Sequence, residues 1–444
     1  MSKYESRLFI DGNLVDAKSG KTYDLLNPAT NEFLAKIPIA LREDVDAAVE
    51  AAGKAQPQWA ALPAHIRGDV LRKFSNLMAE NVSKLAELDS ICMGKPVGTH
   101  RADVEEACKI TNFFSGLVET ASGQTSLNTP HHMDLSLRQP FGVVAAIVAW
   151  NFPTLLGILL AQLATKAGFP PGIVNIVSGA AETGELLSSH MKIRFLWYSK
   201  ISFTGSTRAG RAVMQAAARS NLKNVALELG GKSPLIVFDD ANLDWAAADA
   251  VNSITLNSGQ VCTSSSRAYV QKGAAATFKK LLISYMSKLK MGEPSAASTQ
   301  LGPQADARQA ASVKNYIAIG KQSGHVLHGG GQVDCGVNFV QPTIFTDVAD
   351  TSRLNVEEIF GPVLVLHEFE TEVEVIKRAN DTESLRVASA LEAGNVGVNC
   401  TSPYGAYDLP FGGFKASGIG RQKGSNAIQS WLEEKSVFIR QEVA

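Results

Sequence analysis

The residue with the most chemistry to offer is Cys262, in the run Gly259-Gln260-Val261-Cys262-Thr263. A cysteine thiolate is a strong nucleophile toward a carbonyl carbon. The polar loop Asn257-Ser258-Gly259-Gln260 leads into it, and Thr263-Ser264-Ser265-Ser266 follows. The lack of apolar neighbours on its C-terminal side favours an accessible thiol, although most lone cysteines are inert, buried hydrophobes. Glu228 stands between Leu227 and Leu229, just ahead of Gly230-Gly231. A carboxylate in apolar surroundings has its pKa raised, which suits a general base, while an acid paired to a lysine or capping a turn reads the same way. Phe203-Thr204-Gly205-Ser206-Thr207 leads from a short strand into a helix. Free amides and a positive dipole end there suit a pyrophosphate, but a simple Ser/Thr N-cap reads the same way and by itself is the better reading.

Other chemistries fail on spacing. Leu229-Gly230-Gly231-Lys232-Ser233 has the ending of a P-loop, but Ala226 stands where glycine is required and Pro234 follows at once. No G-x-G-x-x-G follows the early strands. The five cysteines (Cys92, Cys108, Cys262, Cys335 and Cys400) form no CxxC pair, and the eight histidines lack metal-ligand spacing, so neither a disulfide framework nor a metal is expected. With 42 Lys+Arg against 43 Asp+Glu, the net charge of −1 points to neither nucleic acid nor a charged membrane face. The N-terminal residues do not form a signal peptide, and a cytoplasmic protein is the simplest expectation. The uncharged stretch from Phe141 to Thr165 is long enough to suggest a membrane span, but Asn151-Phe152-Pro153 interrupts it, so that reading is rejected.

These residues need a scaffold, and the 444-residue chain, 45% hydrophobic, is long enough for two or three domains. Asp11-Gly12 marks an early hairpin. Val45, Ala48, Val49 and Ala52 form one amphipathic stripe, and Ile66, Val70, Leu71, Phe74, Leu77 and Met78 a second. From Phe141, apolar runs at Val143–Val148, Ile173–Val177, Ile201–Phe203, Val225–Leu227 and Leu235–Phe238 alternate with helices such as Leu159–Ala167 and Ala181–Ser188. That alternation predicts an α/β fold with doubly wound parallel sheets. A helix to Asn257, the cysteine loop, a strand at Ala268–Val270 and a helix from Ala274 continue it. His328-Gly329-Gly330-Gly331 reads as a plain surface turn.

Taken in order, the motifs resemble the aldehyde dehydrogenase superfamily. They are Trp150-Asn151-Phe152-Pro153, Phe203-Thr204-Gly205-Ser206, Glu228-Leu229-Gly230-Gly231-Lys232-Ser233-Pro234, Gly259-Gln260-Val261-Cys262, Glu357-Glu358-Ile359-Phe360-Gly361-Pro362-Val363 and Pro410-Phe411-Gly412-Gly413. The resemblance implies NAD(P)-dependent oxidation of an aldehyde to an acid. Cys262 would be the nucleophile, Asn151 and the Cys262 amide the oxyanion donors, and Glu228 the base that activates water. It also implies that Trp150, Gly205, Ser206, Leu229, Glu358 and Phe360 bind NAD or NADP, with Glu358 on the nicotinamide ribose, and that Phe411 lines the substrate tunnel. The implied fold has two doubly wound parallel-sheet domains and a small β arm. The cofactor domain would take 1–122 and 141–230, the catalytic domain 231–423, and the arm 123–140 and 432–444. A homodimer or homotetramer is expected.

Three departures from the family pattern stand out. After Gly157 the chain runs straight into Ile158-Leu159-Leu160, without the helix, the strand and the Lys-Pro-Ser/Thr-Glu segment that bind the adenosine ribose in the family. One central parallel strand is thereby lost, so that its neighbours must pair directly or leave a gap. Arg194 to Ser199 is a bulky aromatic insertion, and after Ser384 a Gly-Leu-Tyr-Ala strand and turn are missing. These losses leave two alternatives open: a cofactor-defective, non-enzymatic relative, or a cofactor-independent thiol esterase.

Overall fold

The computed structural model describes residues 4–151, 156–193, 200–380, 392–401 and 406–441, with the side chain of Leu156 also left out. The insertion at Arg194–Ser199 and the junction after Ser384 therefore lie outside the described residues, as do Phe152 and Pro153.

The chain opens with the expected hairpin, β1 (Leu8–Ile10) and β2 (Asn13–Val15), turned by Asp11 and Gly12 with φ of 52° and 76°. Two positive φ values are what a two-residue turn of this hand demands. A second hairpin, β3 (Thr22–Leu26) and β4 (Phe33–Pro38), precedes four helices: α1 (Arg42–Ala61), α2 (Ala64–Glu80), α3 (Val82–Met93) and α4 (Val97–Leu117). The predicted stripe on α1 holds, for Val45 and Val49 pack into the core beneath the first sheet. On α2 Met78 is buried, with Phe74 and Leu77 packed partly buried beside it in the cluster shared with α3 and α4, while Ile66 faces solvent.

Next come β5 (Thr125–Ser126), β6 (His132–Pro140), β7 (Val144–Ile147), α5 (Leu156–Ala167), α6 (Ala181–Ser189), β8 (Lys200–Thr204), α7 (Thr207–Arg219) and β9 (Asn224–Glu228). Strands β7, β8 and β9 are parallel neighbours in continuous register, Ile147 opposite Phe203 and Phe203 opposite Leu227. Of the two outcomes left open for the neighbours of the lost strand, direct pairing holds in this sheet, and no gap opens among the described residues. Strand β7 is the last strand of its sheet, and Val144 and Val148 beside its outer edge are exposed. Ile173–Val177, expected as a strand, makes only one antiparallel bridge, between Ile176 and Phe9. A β-strand needs a hydrogen-bonding neighbour, and the segment has none in the sheet.

The second half contains β10 (Pro234–Val237), α8 (Leu243–Thr255), β11 (Arg267–Gln271), α9 (Ala275–Ser287), α10 (Ala307–Ser323), β12 (His325–His328), β13 (Thr343–Thr346), α11 (Arg353–Val356), β14 (Val363–Phe369) and α12 (Glu372–Asn380). Its sheet has the order β10-β11-β14-β13-β12, all parallel except β12. Val270, Phe278, Leu282, Ile344 and Leu364 build its fully buried core. The glycine run after β12 is not a plain surface turn. Gly330 is buried and donates its amide to Thr343 Oγ1 (3.0 Å).

Two late strands return to earlier sheets. β15 (Gly418–Ile419) joins β9 antiparallel, and β16 (Leu432–Arg440) pairs with β6 over nine residues, from Leu432 opposite Pro140 to Arg440 opposite His132. Among the described residues no helix is long and apolar enough to cross a membrane.

Candidate active site

Strand β9 ends on Glu228, and the Gly230-Gly231 turn then carries the chain across to β10 in the second sheet. The carboxylate therefore sits where the two sheets face each other. Gly205 N donates to Glu228 O (3.0 Å) and Leu229 N to Ser417 O (2.9 Å), which pins the turn on both sides. Burial pushes Glu228 up to about 7, against the opposing pull of Arg421. The sequence reading of an acid in apolar surroundings holds. A Cβ on Gly412 would lie 3.1 Å from Glu228 Oε1, so the Phe411-Gly412 segment closes directly over the carboxylate.

Cys262 follows three consecutive left-handed residues, Asn257 (φ 50°), Ser258 (φ 57°) and Gly259 (φ 75°), that unwind the end of α8. Two of them are not glycine, so the turn carries strain that other contacts must offset. Ser258 Oγ donates to Gly302 O (2.8 Å), Gln304 Nε2 to Ser258 O (3.0 Å) and Gln260 Nε2 to Asn257 O (2.8 Å). Gly259 must be glycine, because a Cβ would collide with the Gly361–Pro362 backbone. That contact locks the cysteine turn onto the Glu358-Ile359-Phe360-Gly361 segment.

Asn151 is buried and donates through Nδ2 to Gln260 O (3.0 Å), two residues before the cysteine. One of its two amide hydrogens is thereby used to orient the group, and the other remains for a ligand oxygen. Asn257 Nδ2 in turn donates to Asn151 O (2.9 Å). Cys262 is partly exposed, and its thiol is pushed up to about 11 by burial, then by Glu358 and Glu228. The thiol is therefore protonated at neutral pH in the free protein.

Glu358 accepts from Gly231 N at Oε1 (3.2 Å), and a Cβ on Gly230 would collide with its Oε2. Burial raises its pKa, while the Gly231 amide and Lys232 oppose the shift. Lys232 itself is lowered to about 7 by burial and then by Arg267. Phe360 sits at φ 58°, its carbonyl held by Gln309 Nε2 (2.7 Å), and its ring meets Trp150 edge-on at 5.4 Å. Ser206 caps α7, accepting from Ala209 N (3.3 Å), at the C-terminal end of β8 beside Leu229. A Cβ on Gly210 would lie 2.7 Å from Leu229, so this glycine lets α7 approach the turn. Phe411 is held by paired backbone bonds with Gln422 (2.6 and 2.7 Å), and Asn395 Oδ1 receives Gly412 N (3.0 Å).

Geometry thus gathers Cys262, Glu228, Asn151 and Glu358 around two glycine turns, with Trp150 and Phe360 paired alongside. The supports Asn257, Gln304, Gln309, Asn395 and Ser417 were not singled out from sequence. They act through hydrogen bonds to backbone atoms, most of them distant in sequence, which leaves little local pattern.

The aldehyde dehydrogenase family model matches residues 14–159 and 154–437. The chain belongs to the aldehyde dehydrogenase family. The match divides at 154–159, where Gly157 runs into Ile158. "Aldehyde dehydrogenase 1" from Tanacetum cinerariifolium is 37% identical, covering 97% of this chain and 94% of its own. That alignment spans 477 residues, more than the 444 of this chain, so the plant enzyme carries residues that are missing here. An NADP-dependent enzyme of E. coli superposes with a TM-score of 0.93 at 36% identity, over 98% of both chains. An indole-3-acetaldehyde dehydrogenase complexed with NAD+ gives 0.94 at 34%, over 99% of this chain and 97% of its own. The fold is therefore the mixed α/β fold of the family, and the protein is an enzyme of this class.

Proposed function

We propose that the enzyme oxidises an aldehyde to a carboxylic acid with NAD or NADP, through a covalent intermediate on Cys262. The observation that carries this reading is the meeting of Glu228, Glu358 and Asn151 at the Cys262 turn. Cys262 gives its thiol proton to solvent as Sγ attacks the aldehyde carbon, whose C=O π pair moves onto oxygen to give the thiohemiacetal oxyanion. The second Asn151 Nδ2 hydrogen and the Cys262 amide hold its oxyanion. NAD or NADP, when bound, supplies the acceptor for the hydride whose departure leaves a thioester. Glu228, titrating near neutrality, then takes a proton from the water that attacks the thioester, and the acid leaves with the thiol restored.

The residues fit the nicotinamide half of such a cofactor. The N-terminus of α7 at Gly205 and Ser206 suits a pyrophosphate, and Gly230 makes room for the Glu358 carboxylate, which a Cβ there would displace. Trp150, Leu229 and Phe360 complete that side, and Phe411 lines the way in for the substrate. The division into a cofactor domain (1–122 and 141–230), a catalytic domain (231–423) and an arm (123–140 and 432–444) is part of this reading, and the grouping of strands into separate sheets supports it. Exposed apolar side chains on the arm sheet, Leu127, Leu137 and Phe438, support assembly into a homodimer or homotetramer.

A second reading is favoured by the open edge of β7, where nothing among the described residues takes the place of the adenosine-binding strand. Cys262, Asn151 and Glu228 suffice for acyl transfer, so ester hydrolysis without cofactor is its signature. The test is NADH or NADPH formation with a panel of aldehydes, run beside ester hydrolysis in the absence of cofactor. Reduced cofactor that disappears in Cys262→Ala supports the dehydrogenase. Ester turnover alone supports the esterase, and neither leaves a non-enzymatic relative.

A further inference from the structure

Strand β7 is hydrogen-bonded to β8 on one side, and no described strand lies on the other. Its side chains alternate, as the pleat of a strand requires. Val143 and Ala145 pack into the core beneath the first sheet, while Val144, Ala146 and Val148 are exposed, the two valines at 42% and 55%. Solvent therefore meets both the outer row of backbone N–H and C=O groups and an apolar face of the strand. Edge strands that remain single are blunted by a charge, a proline or a bulge. β7 has none of the three. From Phe141 to Asn151 there is neither a charged residue nor a proline, and the register with β8 runs unbroken from Val144 to Ile147. Whatever closes such an edge must supply backbone partners and bring no charge, and the same strand of a second copy does both. Copies related by a twofold axis perpendicular to the sheet meet antiparallel. With Ala146 on the axis, Val144 of each copy stands opposite Val148 of the other, and Ala145 opposite Ile147. The valines then pair across the seam on the exposed face, and the small residue falls at the centre, where each copy meets its own side chain.

We propose that β7 is a self-association edge, where a second copy of the chain adds its own β7 antiparallel about Ala146. The seam is separate from the arm, whose exposed Leu127, Leu137 and Phe438 lie on or beside the sheet of β5, β6 and β16. It joins the first sheets of two copies into one, and it adjoins Trp150 and Asn151, to which β7 leads. One strand from each side makes a small interface, so the association is weak and depends on concentration.

The test uses the full chain with Leu127→Asp and Phe438→Asp, which take away exposed apolar side chains of the arm. In sedimentation velocity this chain should be monomeric at about 1 μM and should dimerise on concentration to about 200 μM, with a Kd of about 50 μM. Val148→Lys, a change at an exposed position, sets a charge opposite Val144 and should weaken the dimer about 10-fold or more. Ala146→Cys, oxidised at high concentration, should give a disulfide that mass spectrometry maps between the two substituted positions, since directly opposed residues lie about 5 Å apart at Cα. Val144→Cys should not link to its own copy, because the two positions are about 14 Å apart along the seam. Absence of the link at 146 in a folded chain overturns the proposal, whatever the oligomeric state. A concentration-dependent dimer that Val148→Lys leaves intact overturns it too, since that dimer belongs to another surface. Equal cross-linking at 144 and 146 overturns the register about Ala146. Should Val148→Lys fail to fold, the two cysteine substitutions still decide. None of these outcomes depends on cofactor binding or on turnover of an aldehyde.

Discussion

Replacing Glu228 with Gln probes the electrostatics of the site through the thiol rather than through turnover. With Cys262 pushed up to about 11, only about one thiol in 1000 is ionised at about pH 8. Burial is the first cause and Glu358 the second, with Glu228 third. A neighbouring like charge shifts a pKa by on the order of one unit, about 1.4 kcal/mol. Removing it raises the thiolate population about 10-fold. A less basic thiolate is also a poorer nucleophile by about 3-fold, so alkylation should speed up by about 3-fold. The sign depends on pH. Glu228 titrates near 7, so below about pH 6 the native carboxyl is neutral, like glutamine, and the two proteins should react alike. The ratio of rates should rise from about 1 at pH 5.5 to about 3 at pH 9. Iodoacetamide alkylation, followed by mass spectrometry of the Cys262 peptide, reads it directly. A ratio that is constant across this range would refute the electrostatic argument, because a steric effect does not titrate.

Gly230→Ala drives a Cβ into Glu358 Oε2, so it should raise the cofactor KM about 10-fold while leaving cofactor-free ester hydrolysis within about 2-fold; steady-state kinetics of both reactions check this. Gly259→Ala combines φ +75° with a collision against Gly361, and should cost about 3 kcal/mol or more, seen as a lowered Tm and loss of soluble protein. Burial holds Asp89 at about 8 against the pull of Lys95, so the folded chain keeps a proton that the unfolded chain loses near pH 4. Stability therefore falls as pH rises from about 4 through 8, and Asp89→Asn should flatten the dependence of Tm on pH across that window. Leu127→Asp with Phe438→Asp places charges at two exposed apolar positions of the arm and should reduce the assembly to monomers in sedimentation velocity, without loss of helix content.

Local chemistry wrote much of this protein into its sequence. The Asp11-Gly12 turn, the α1 stripe and the parallel strands ending on Thr204 and Glu228 depend on near neighbours, and they formed where the pattern placed them. The raised pKa of Glu228 was legible for the same reason, since its apolar neighbours adjoin it in the chain. Other outcomes rest on partners far away in sequence. Ile173–Val177 has the composition of a strand yet makes one bridge, because no neighbouring strand remains for it. The lost strand left an open edge at β7 rather than a gap, since strand order follows from packing and not from chain order. Cys262 could be recognised by its motif, but its protonation could not, because burial and the acids at 228 and 358 meet only in the fold. Sequence therefore determined which groups are available for chemistry. Tertiary structure decided their charge, because charge depends on distance and solvent exposure, and neither exists until distant segments pack together.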